Sequence, residues 1–297
     1  MIISIGEILF DRFPDYRRTG GAPFNVAAHL SSFELETIFF SRVGKDKDGE
    51  ELISAVTSYG LDPAYIQQDP DHPTGYVIIN LDEYGNATFK ICEETAYDYL
   101  EITPDIREKI SHADIIYFGT LIQRTMKKSY QTLHDLLDLR KPSSRTLCDT
   151  NLRPGCYTKK TILETLNVTD ILKLNREECR HISSCFSGPD NETDILYWLM
   201  DKFNIDMISL TADADGSRLI TKEGSYHISG EKPPVIRNTV GAGDAYAAVL
   251  AGGLLNNWPP EKILKTASRF AGRICGLKGA LPSNKGFYDE IIKEFRK

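Results

Sequence analysis

The sequence lacks the features that mark membrane proteins and nucleic-acid-binding proteins. Its 297 residues contain no apolar run long enough to span a bilayer, and no basic segment precedes the apolar start MIISIGEILF, as it would in a signal peptide. Acidic residues outnumber basic ones, and the net charge of −7 argues against a general nucleic-acid-binding surface. We therefore expect a cytoplasmic protein that binds neither membranes nor nucleic acids.

Metal-binding and common nucleotide-binding motifs are missing as well. The six cysteines include no CxxC pair and no Cys/His cluster at zinc-site spacing, so we interpret them as thiols of a reducing compartment. There is no Walker A sequence, and Gly241-Ala-Gly243 is not followed by the third glycine of a dinucleotide fingerprint. A bound nucleotide would need a different phosphate-binding loop, and a nicotinamide-dependent dehydrogenase is disfavoured.

What the sequence does contain is an alternation of short apolar runs with segments of helical spacing. The runs predict strands that are buried on both faces: 2–5, 37–43, 114–118, 145–149, 171–174 and 207–211. The segments of helical spacing include 48–59, 125–139 and 191–203. This alternation predicts an α/β fold with a mostly parallel sheet and helices on both faces. Ligand sites in such folds gather at the carboxyl ends of the strands.

One stretch breaks the alternation. GYVIINLDEYGNATFKI (75–91) has two runs of alternating apolar residues around a Glu-Tyr-Gly-Asn turn, which is typical of an antiparallel hairpin. It predicts either a small accessory sheet, serving as a lid or an oligomer surface, or an edge extension of the main sheet. No internal repeat or linker rich in Pro and Gly marks a domain boundary.

The stretch NTVGAGDAY (238–246) opens a run of small and apolar residues. Gly241, Ala242 and Gly243 leave backbone N–H groups bare at a helix start, where the helix dipole also favours an anion. Asp244 would repel that anion, unless it accepts a proton from a nucleophile while the N–H groups stabilise the group under attack. The alternative is an N-capping aspartate after a glycine turn, and this stretch alone favours that alternative.

Two more polar clusters follow predicted strands. One reads Asp149-Thr-Asn151-Leu-Arg153, and its arginine is suited to binding phosphate oxygens. The other is Asn175-Arg-Glu-Glu178, whose Asn and last Glu lie one helical turn apart and could hold a hydrated Mg²⁺ through water. The alternatives are a surface ion pair and a helix cap. Each cluster follows the carboxyl end of a predicted parallel strand, so the clusters should lie at the same edge of the sheet. We therefore favour a shared site.

The first predicted strand also leads to polar residues. It continues as GEILFD, ending at Asp11, and GGAPFNVAA begins at Gly20. Gly20 and Gly21 let a ligand approach the backbone, and Pro23 suits the first turn of a helix. Asp11 and Asn25 carry the kinds of groups that bind sugar hydroxyls.

Together these segments resemble the ribokinase-like (PfkB) carbohydrate kinases. GGAPFNVAAHL (20–30) and NTVGAGDAYAAVLA (238–251) are similar to the two signature regions of that family. GEILFD, DTNLRP, NREE and the turn from Thr211 to Gly216 fall in the family's order, so the resemblance covers nearly the whole chain. GGAPxN and GEILxD are most similar to fructokinases. Ribokinases tend to carry a lysine in the glycine-rich segment, where this chain has Pro23 and Phe24.

The resemblance implies a single kinase domain over residues 1–297, Rossmann-like, with lid strands from about 10–18 and 74–100. It implies ATP, Mg²⁺ and transfer to a sugar hydroxyl, with fructose giving fructose 6-phosphate as the favoured reaction. The alternatives are 2-keto-3-deoxygluconate, ribose, a nucleoside or a sugar phosphate as acceptor, or a catalytically weak sugar-binding protein. A phosphorylated acceptor would need nearby cations, for which Arg17, Arg18, Lys45 and Lys47 are available. A homodimer through the lid sheet is expected by analogy.

The resemblance also implies a role for each matching residue. Asp244 would be the catalytic base, Gly241, Ala242 and Gly243 the anion hole, and Arg153 a phosphate clamp. The sugar-binding positions would be Asp11, Gly20, Gly21, Asn25 and Asn151. The nucleotide-binding positions would be Asn175, Thr211, Gly216, Gly241 and Gly243, and Glu178 would meet the metal through water.

Two positions depart from the family pattern. Asn238 stands where relatives usually have an aspartate that helps to hold a monovalent cation, which argues against activation by K⁺. Asp213 stands where the nucleotide turn usually has a glycine. A positive φ there would strain the turn, and the carboxylate would add negative charge near phosphates. We therefore expect weakened nucleotide affinity.

Overall fold

Two β-sheets and the helices packed against them make up the chain. The structure is a computed structural model that describes residues 1–81, 87–124, 126, 128–230 and 236–297. Its strands are β1 (Ile2–Ile5), β2 (Leu9–Arg12), β3 (Arg17–Gly20), β4 (Thr37–Gly44), β5 (Ile66–Asp69), β6 (Tyr76–Leu81), β7 (Ala87–Ile91), β8 (Ile115–Gly119), β9 (Arg145–Asp149), β10 (Ile171–Asn175), β11 (Met207–Thr211), β12 (Ser217–Thr221) and β13 (Ser225–Ile228).

The α-helices alternate with these strands along most of the chain. They are α1 (Ala22–Ser32), α2 (Lys47–Ser58), α3 (Pro104–Ile110), α4 (Lys128–Asp138), α5 (Lys159–Asn167), α6 (Arg176–Cys185), α7 (Glu192–Phe203), α8 (Ala242–Leu255), α9 (Pro260–Ile274) and α10 (Asp289–Phe295). The three predicted helical segments correspond to α2, α4 and α7. No helix in the described part of the chain is long and apolar enough to cross a membrane.

The large sheet has nine strands in the order β13-β12-β11-β10-β9-β8-β1-β4-β5. Neighbours from β11 to β5 pair in parallel, and only the β11–β12 and β12–β13 pairs are antiparallel. All six predicted strands lie in this sheet, so the predicted α/β fold class is confirmed. Their continuous apolar character follows from burial on both faces: Ile3 and Ile5 pack in one core cluster and Ile2 packs in another.

The small sheet has the order β3-β2-β6-β7 and is separate from the large one. Strands β6 and β7 pair antiparallel, with Val77 opposite Ile91, so the predicted hairpin is confirmed. Its Glu-Tyr-Gly-Asn turn lies outside the described residues. The alternative, an edge extension of the main sheet, is wrong, because β6 pairs on its other side with β2, in parallel.

The register of the large sheet brings the polar clusters to one edge. Asp149 at the end of β9 lies opposite Gly119 on β8 and Lys173 on β10. One strand further, Asn175 at the end of β10 lies opposite Thr211 at the end of β11. Since these strands are parallel, their carboxyl ends meet at the edge predicted from the sequence, and residues from this edge and from the small sheet line a cavity.

Candidate active site

A cavity of about 450 Å³ is lined by residues from both sheets, a size suited to a small ligand. The small sheet contributes apolar side chains to its wall, among them Leu9, Val77 and Ile79. Many of the predicted site residues line it: Asp11, Gly20, Gly21, Asn25, Asn151, Arg153, Gly241, Gly243 and Asp244. Segments separated by more than two hundred residues in the sequence therefore meet in one cavity.

Asp244 lies in the first turn of α8 and does not cap that helix. The N-cap residue is Gly241, and no side chain supplies a capping hydrogen bond. Instead, Asn25 donates a hydrogen bond from Nδ2 to Asp244 Oδ2 over 2.7 Å. Burial raises the pKa of the Asp244 carboxyl to about 6, and the hydrogen bond from Asn25 opposes that rise. The carboxylate is thus ionised at neutral pH and still basic enough to accept a proton.

Glycines shape the two helix starts beside this carboxylate. Gly241 has a φ of 80°, and a Cβ atom there would lie 2.3 Å from Ala280 Cβ. Gly21, the N-cap of α1, has a φ of 108°, and a Cβ atom there would lie 2.4 Å from the carbonyl oxygen of Glu7. A larger residue is therefore excluded at both positions. The N-cap residues of α1 and α8 therefore present backbone without a side chain to the cavity.

The cavity holds several acidic side chains close to one shared arginine, Arg153. Burial raises the pKa of Asp11 to about 6, and the nearby Arg153 and Arg18 lower it. Arg153 also lowers the pKa of Glu7 and of Asp244, so its guanidinium is the cation shared by three acids. Asn151, two residues earlier, has a φ of 35°, a left-handed conformation that asparagine tolerates better than most residues.

Two charged residues of this region were not predicted as site residues. Glu7 is only 4% exposed and lines the cavity. Lys173 is buried on β10, with Nζ 2.7 Å from Asp149 Oδ2 and 3.5 Å from the position that a Cβ of Gly243 would occupy. The sequence carries a signal for both, because a charged residue inside an otherwise apolar run, as in IISIGEILF or ILKL, needs a partner or a ligand.

The other predicted residues are not among those that line this cavity, although Ala242 lies between two that do. Asn175 and Glu178 form a capping box at the start of α6, in which Glu178 N donates to Asn175 Oδ1 and Asn175 N donates to Glu178 Oε2. Glu178 Oε1 accepts a further bond from Leu152 N at 2.7 Å. The helix-cap alternative therefore describes this pair. Thr211 is the register partner of Asn175, and Gly216 lines a second cavity of about 400 Å³. Ala242 is the first residue of α8.

The two departures from the family pattern have structural consequences. Asp213 has a positive φ of 45°. A side chain at this position therefore strains the predicted nucleotide turn, as expected for a place where relatives usually have glycine. Asn238 donates a hydrogen bond from Nδ2 to the carbonyl oxygen of Leu277 over 2.7 Å. An aspartate at this position could not donate that bond. The amide N–H of Asn238 thus occupies the carbonyl oxygen of Leu277, and that oxygen is then less available to coordinate a cation.

Sequence comparison finds kinases of sugars and of a riboside among the similar proteins. The sequence is 28% identical to an uncharacterized sugar kinase of Pyrococcus horikoshii, over 86% of this chain and 83% of that protein. It is 26% identical to a fructokinase of Escherichia coli, over 88% and 87%. It is 25% identical to the aminoimidazole riboside kinase of Salmonella typhimurium, over 84% and 78%.

The fold comparison points the same way. The crystal structure of the Pyrococcus horikoshii kinase in complex with ATP superposes with a TM-score of 0.81 at 25% identity, covering 99% of this chain and 100% of that one. Residues 16–285, most of the chain, match the description "pfkB family carbohydrate kinase". The chain is therefore a member of the pfkB family of carbohydrate kinases.

Proposed function

We propose that this chain is an ATP-dependent sugar kinase whose acceptor is fructose and whose product is fructose 6-phosphate. The observation that carries the proposal is the position of Asp244. Its carboxylate is partly exposed to the cavity, in the first turn of α8 beside a glycine N-cap, and shares this cavity with Asp11 and Asn25. A base of this kind next to bare backbone N–H groups suits the attack of a hydroxyl on a phosphoryl group.

In the proposed reaction, an oxygen of Asp244 accepts the proton of the acceptor hydroxyl. That hydroxyl oxygen forms a bond to the γ-phosphorus while the bond from this phosphorus to the oxygen of ADP breaks. The N–H groups from Gly241 to Gly243 would balance charge on the transferred group, and Arg153, which lines the same cavity, would bind phosphate oxygens. The apolar wall of the small sheet would exclude water, which limits wasteful hydrolysis of ATP.

The choice of fructose rests on two supports. The fructokinase of Escherichia coli is among the similar proteins, and GGAPFN and GEILFD are fructokinase-like. A sugar phosphate is a weaker candidate, because Arg17 pairs with Asp48 and Glu51 outside the cavity. Of the four basic residues that could serve such an acceptor, only Arg18 lines the cavity.

A riboside is the second candidate acceptor. Val77, Ile79 and Ile91 of the small sheet line the cavity together with Leu9 and Leu121. An apolar wall of this kind could pack against the base of a riboside as well as against the apolar face of a sugar ring. The aminoimidazole riboside kinase of Salmonella typhimurium is a similar protein that takes such a substrate by name.

The residues of the described chain suit the two proposed metal ions, Mg²⁺ and K⁺, to different degrees. Among the described residues, no three His, Cys, Asp or Glu side chains are placed to hold a metal ion by themselves. Glu178 would contact an Mg²⁺ ion on the nucleotide only through water, since both of its oxygens accept backbone hydrogen bonds, and the ion would supply charge to balance the phosphates. The donor that Asn238 presents to Leu277 disfavours a K⁺ site. The cytoplasmic location, the single-domain organisation and a homodimer through the small sheet stay predictions.

The test is an assay of ADP release with Mg²⁺ and ATP. The acceptors are fructose, ribose, 2-keto-3-deoxygluconate, adenosine and fructose 6-phosphate, each in KCl and in NaCl buffer. We expect fructose to give the highest kcat/KM, at the same rate in both salts. Higher turnover with another acceptor would correct the substrate, and a strict need for KCl would restore the cation site. If no acceptor is turned over but fructose raises the melting temperature, a sugar-binding protein is the better description.

A further inference from the structure

Glu7 is a charged side chain in the cavity to which the proposed reaction assigns no task. It follows β1, which is apolar and buried, and precedes β2. The residue is 4% exposed, and it lines the cavity together with Asp11, Asn25 and Asp244. A carboxylate is placed in such a position only at a cost, since burial removes its water. Its contacts show what could offset that cost.

The contacts of Glu7 leave one oxygen unused. The backbone N–H groups of Glu7 itself and of Ala22 lie near its carboxylate and lower the pKa that burial raises. The second oxygen, Oε2, is buried and has no hydrogen-bond partner within the described residues. The same is true of Oδ1 of Asn25, whose Nδ2 is bound to Asp244.

Few buried polar atoms of this chain lack a partner, and most of them lie elsewhere. Across the ranges that the structure describes, the affected side chains are Glu7, Asn25, His29, Ser41, Arg42, Tyr97, Arg124 and Thr165. Only Glu7 and Asn25 also line the cavity. Both are at least nine-tenths buried, both present an oxygen, and both lie close to Asp244. Two unsatisfied acceptors at one place indicate a ligand that brings donors.

The groups that would lie next to Asp244 in the proposed reaction decide which ligand supplies those donors. The part of the nucleotide that approaches Asp244 is its phosphate chain, whose oxygens accept hydrogen bonds and offer almost no donors at neutral pH. A sugar offers a hydroxyl on nearly every carbon, and each hydroxyl both donates and accepts. The acceptor sugar is therefore the ligand that matches Oε2 of Glu7 and Oδ1 of Asn25.

The charge state of Glu7 agrees with this match. Burial raises the pKa of its carboxyl to about 7, the charge of Asp244 raises it further, and Arg153 lowers it. Tyr117 on β8 and Tyr97 are the other titratable groups that interact with it. Near neutral pH the carboxyl is therefore present in both forms, and its protonated form can donate to a hydroxyl oxygen as well as accept.

We propose that Glu7 is an acceptor-binding and specificity-determining residue, whose Oε2 hydrogen-bonds to a sugar hydroxyl other than the one that Asp244 deprotonates. Oδ1 of Asn25 binds a second hydroxyl beside it. The inference rests on the proposed sugar kinase function and deepens it, because it assigns the acceptor a pair of hydroxyls that must be free and correctly placed. A sugar that lacks one of them is a poor substrate.

The experiment combines variants of Glu7 with substrates that lack single hydroxyls. Initial rates are measured for the wild type, Glu7→Met and Glu7→Gln with fructose and with its 1-, 3- and 4-deoxy analogues, at saturating and at varied ATP. Glu7→Met removes both oxygens at similar side-chain length, and Glu7→Gln keeps one. Thr165→Val is the matched control, since Thr165 has a buried oxygen without a partner on α5, outside the cavity.

We expect kcat/KM to fall when one particular hydroxyl of the sugar is missing. The wild type should discriminate against one deoxy analogue by about 10- to 100-fold in kcat/KM, the range of a hydrogen bond to a charged group. Glu7→Met should lose that discrimination, because fructose falls to the level of the analogue, while the KM for ATP stays unchanged. Glu7→Gln should lie between the two, and Thr165→Val should behave as the wild type does.

Two outcomes would overturn the inference. The first is the same discrimination among analogues in Glu7→Met and in the wild type, which would make Glu7 only an anchor of the α1 start. The second is an equal rise of the KM for ATP and for fructose in Glu7→Met. Failure of the proposed function itself would look different, because the wild type would then turn over neither fructose nor its analogues.

Discussion

The proposed acceptor side and the proposed nucleotide side of this chain carry similar polar residues whose hydrogen-bond partners differ. The proposed acceptor side consists of Glu7, Asp11, Asn25 and Asp244, and the proposed nucleotide side consists of Asn175, Glu178, Thr211 and Gly216. On the acceptor side, three acids that line the cavity have raised pKa values, and two oxygens lack partners. On the nucleotide side, both oxygens of Glu178 already accept backbone hydrogen bonds.

The difference separates binding residues from residues that build the fold. A polar group that is satisfied by its own protein contributes to stability, and its loss is measured first as unfolding. A buried polar group without a partner lowers stability until a ligand satisfies it, so its loss is measured as affinity or rate. Polar residues at strand ends look alike in the sequence, and their hydrogen-bond partners tell the two classes apart.

A substitution of Asp244 is expected to have the largest effect on turnover. We expect Asp244→Asn to lower kcat by about 10²- to 10⁴-fold, because the amide cannot accept a proton. Fructose should still raise the melting temperature of the variant. Asp138→Asn, at an exposed position on α4, serves as the control and should keep wild-type turnover. Wild-type turnover in Asp244→Asn would remove this residue from the reaction.

The pH profile of the wild type checks the same residue without a mutation. Because the base must be ionised, kcat/KM should fall as the pH falls through about 6, the raised pKa of Asp244. Asp11 has a similar pKa, so the profile is repeated with Asp11→Asn. That variant should keep the acidic limb even where its KM for fructose rises. A flat profile between pH 5 and 7 would contradict a base with this pKa.

A smaller effect is expected from substitution of Glu178, and we expect it to lower the free energy of unfolding more than the rate of the reaction. In Glu178→Gln, one of the two backbone N–H groups of Leu152 and Asn175 would face an amide NH₂ instead of an oxygen. We expect the free energy of unfolding to fall by about 1–3 kcal/mol, measured by urea titration. Glu177→Gln, exposed in the same helical turn, should change it by less than about 0.5 kcal/mol. Unchanged stability together with a higher Mg²⁺ requirement would reverse the assignment.

The smallest effect is expected in the nucleotide turn. Asp213 adds a carboxylate and a φ of 45° where a glycine would fit without strain. Asp213→Gly should lower the KM for ATP several-fold and change the free energy of unfolding by about 1 kcal/mol or less. Asp213→Asn keeps the backbone strain and removes only the charge, so it separates the two causes. If neither variant changes the KM for ATP, the turn does not contact the nucleotide.

Much of the fold could be predicted because burial leaves a local period in the chain. The six predicted strands end within a residue of β1, β4, β8, β9, β10 and β11, and the hairpin at 75–91 is present as β6 and β7. The predicted helix at 125–139 begins later, as α4 at Lys128. The gathering of polar clusters at one sheet edge followed from the parallel strand order.

Local sequence patterns specify which segments become strands and helices and which of their ends carry polar groups. Which of those groups find a hydrogen-bond partner depends on how distant elements pack together. Asn25 and Asp244 are 219 positions apart, yet 2.7 Å separates their hydrogen-bonded atoms. The pairing of Lys173 with Asp149 and the unpaired oxygen of Glu7 depend in the same way on distant elements. Hydrogen bonds and charge interactions in a buried site depend on distance in space, which a local sequence pattern does not contain.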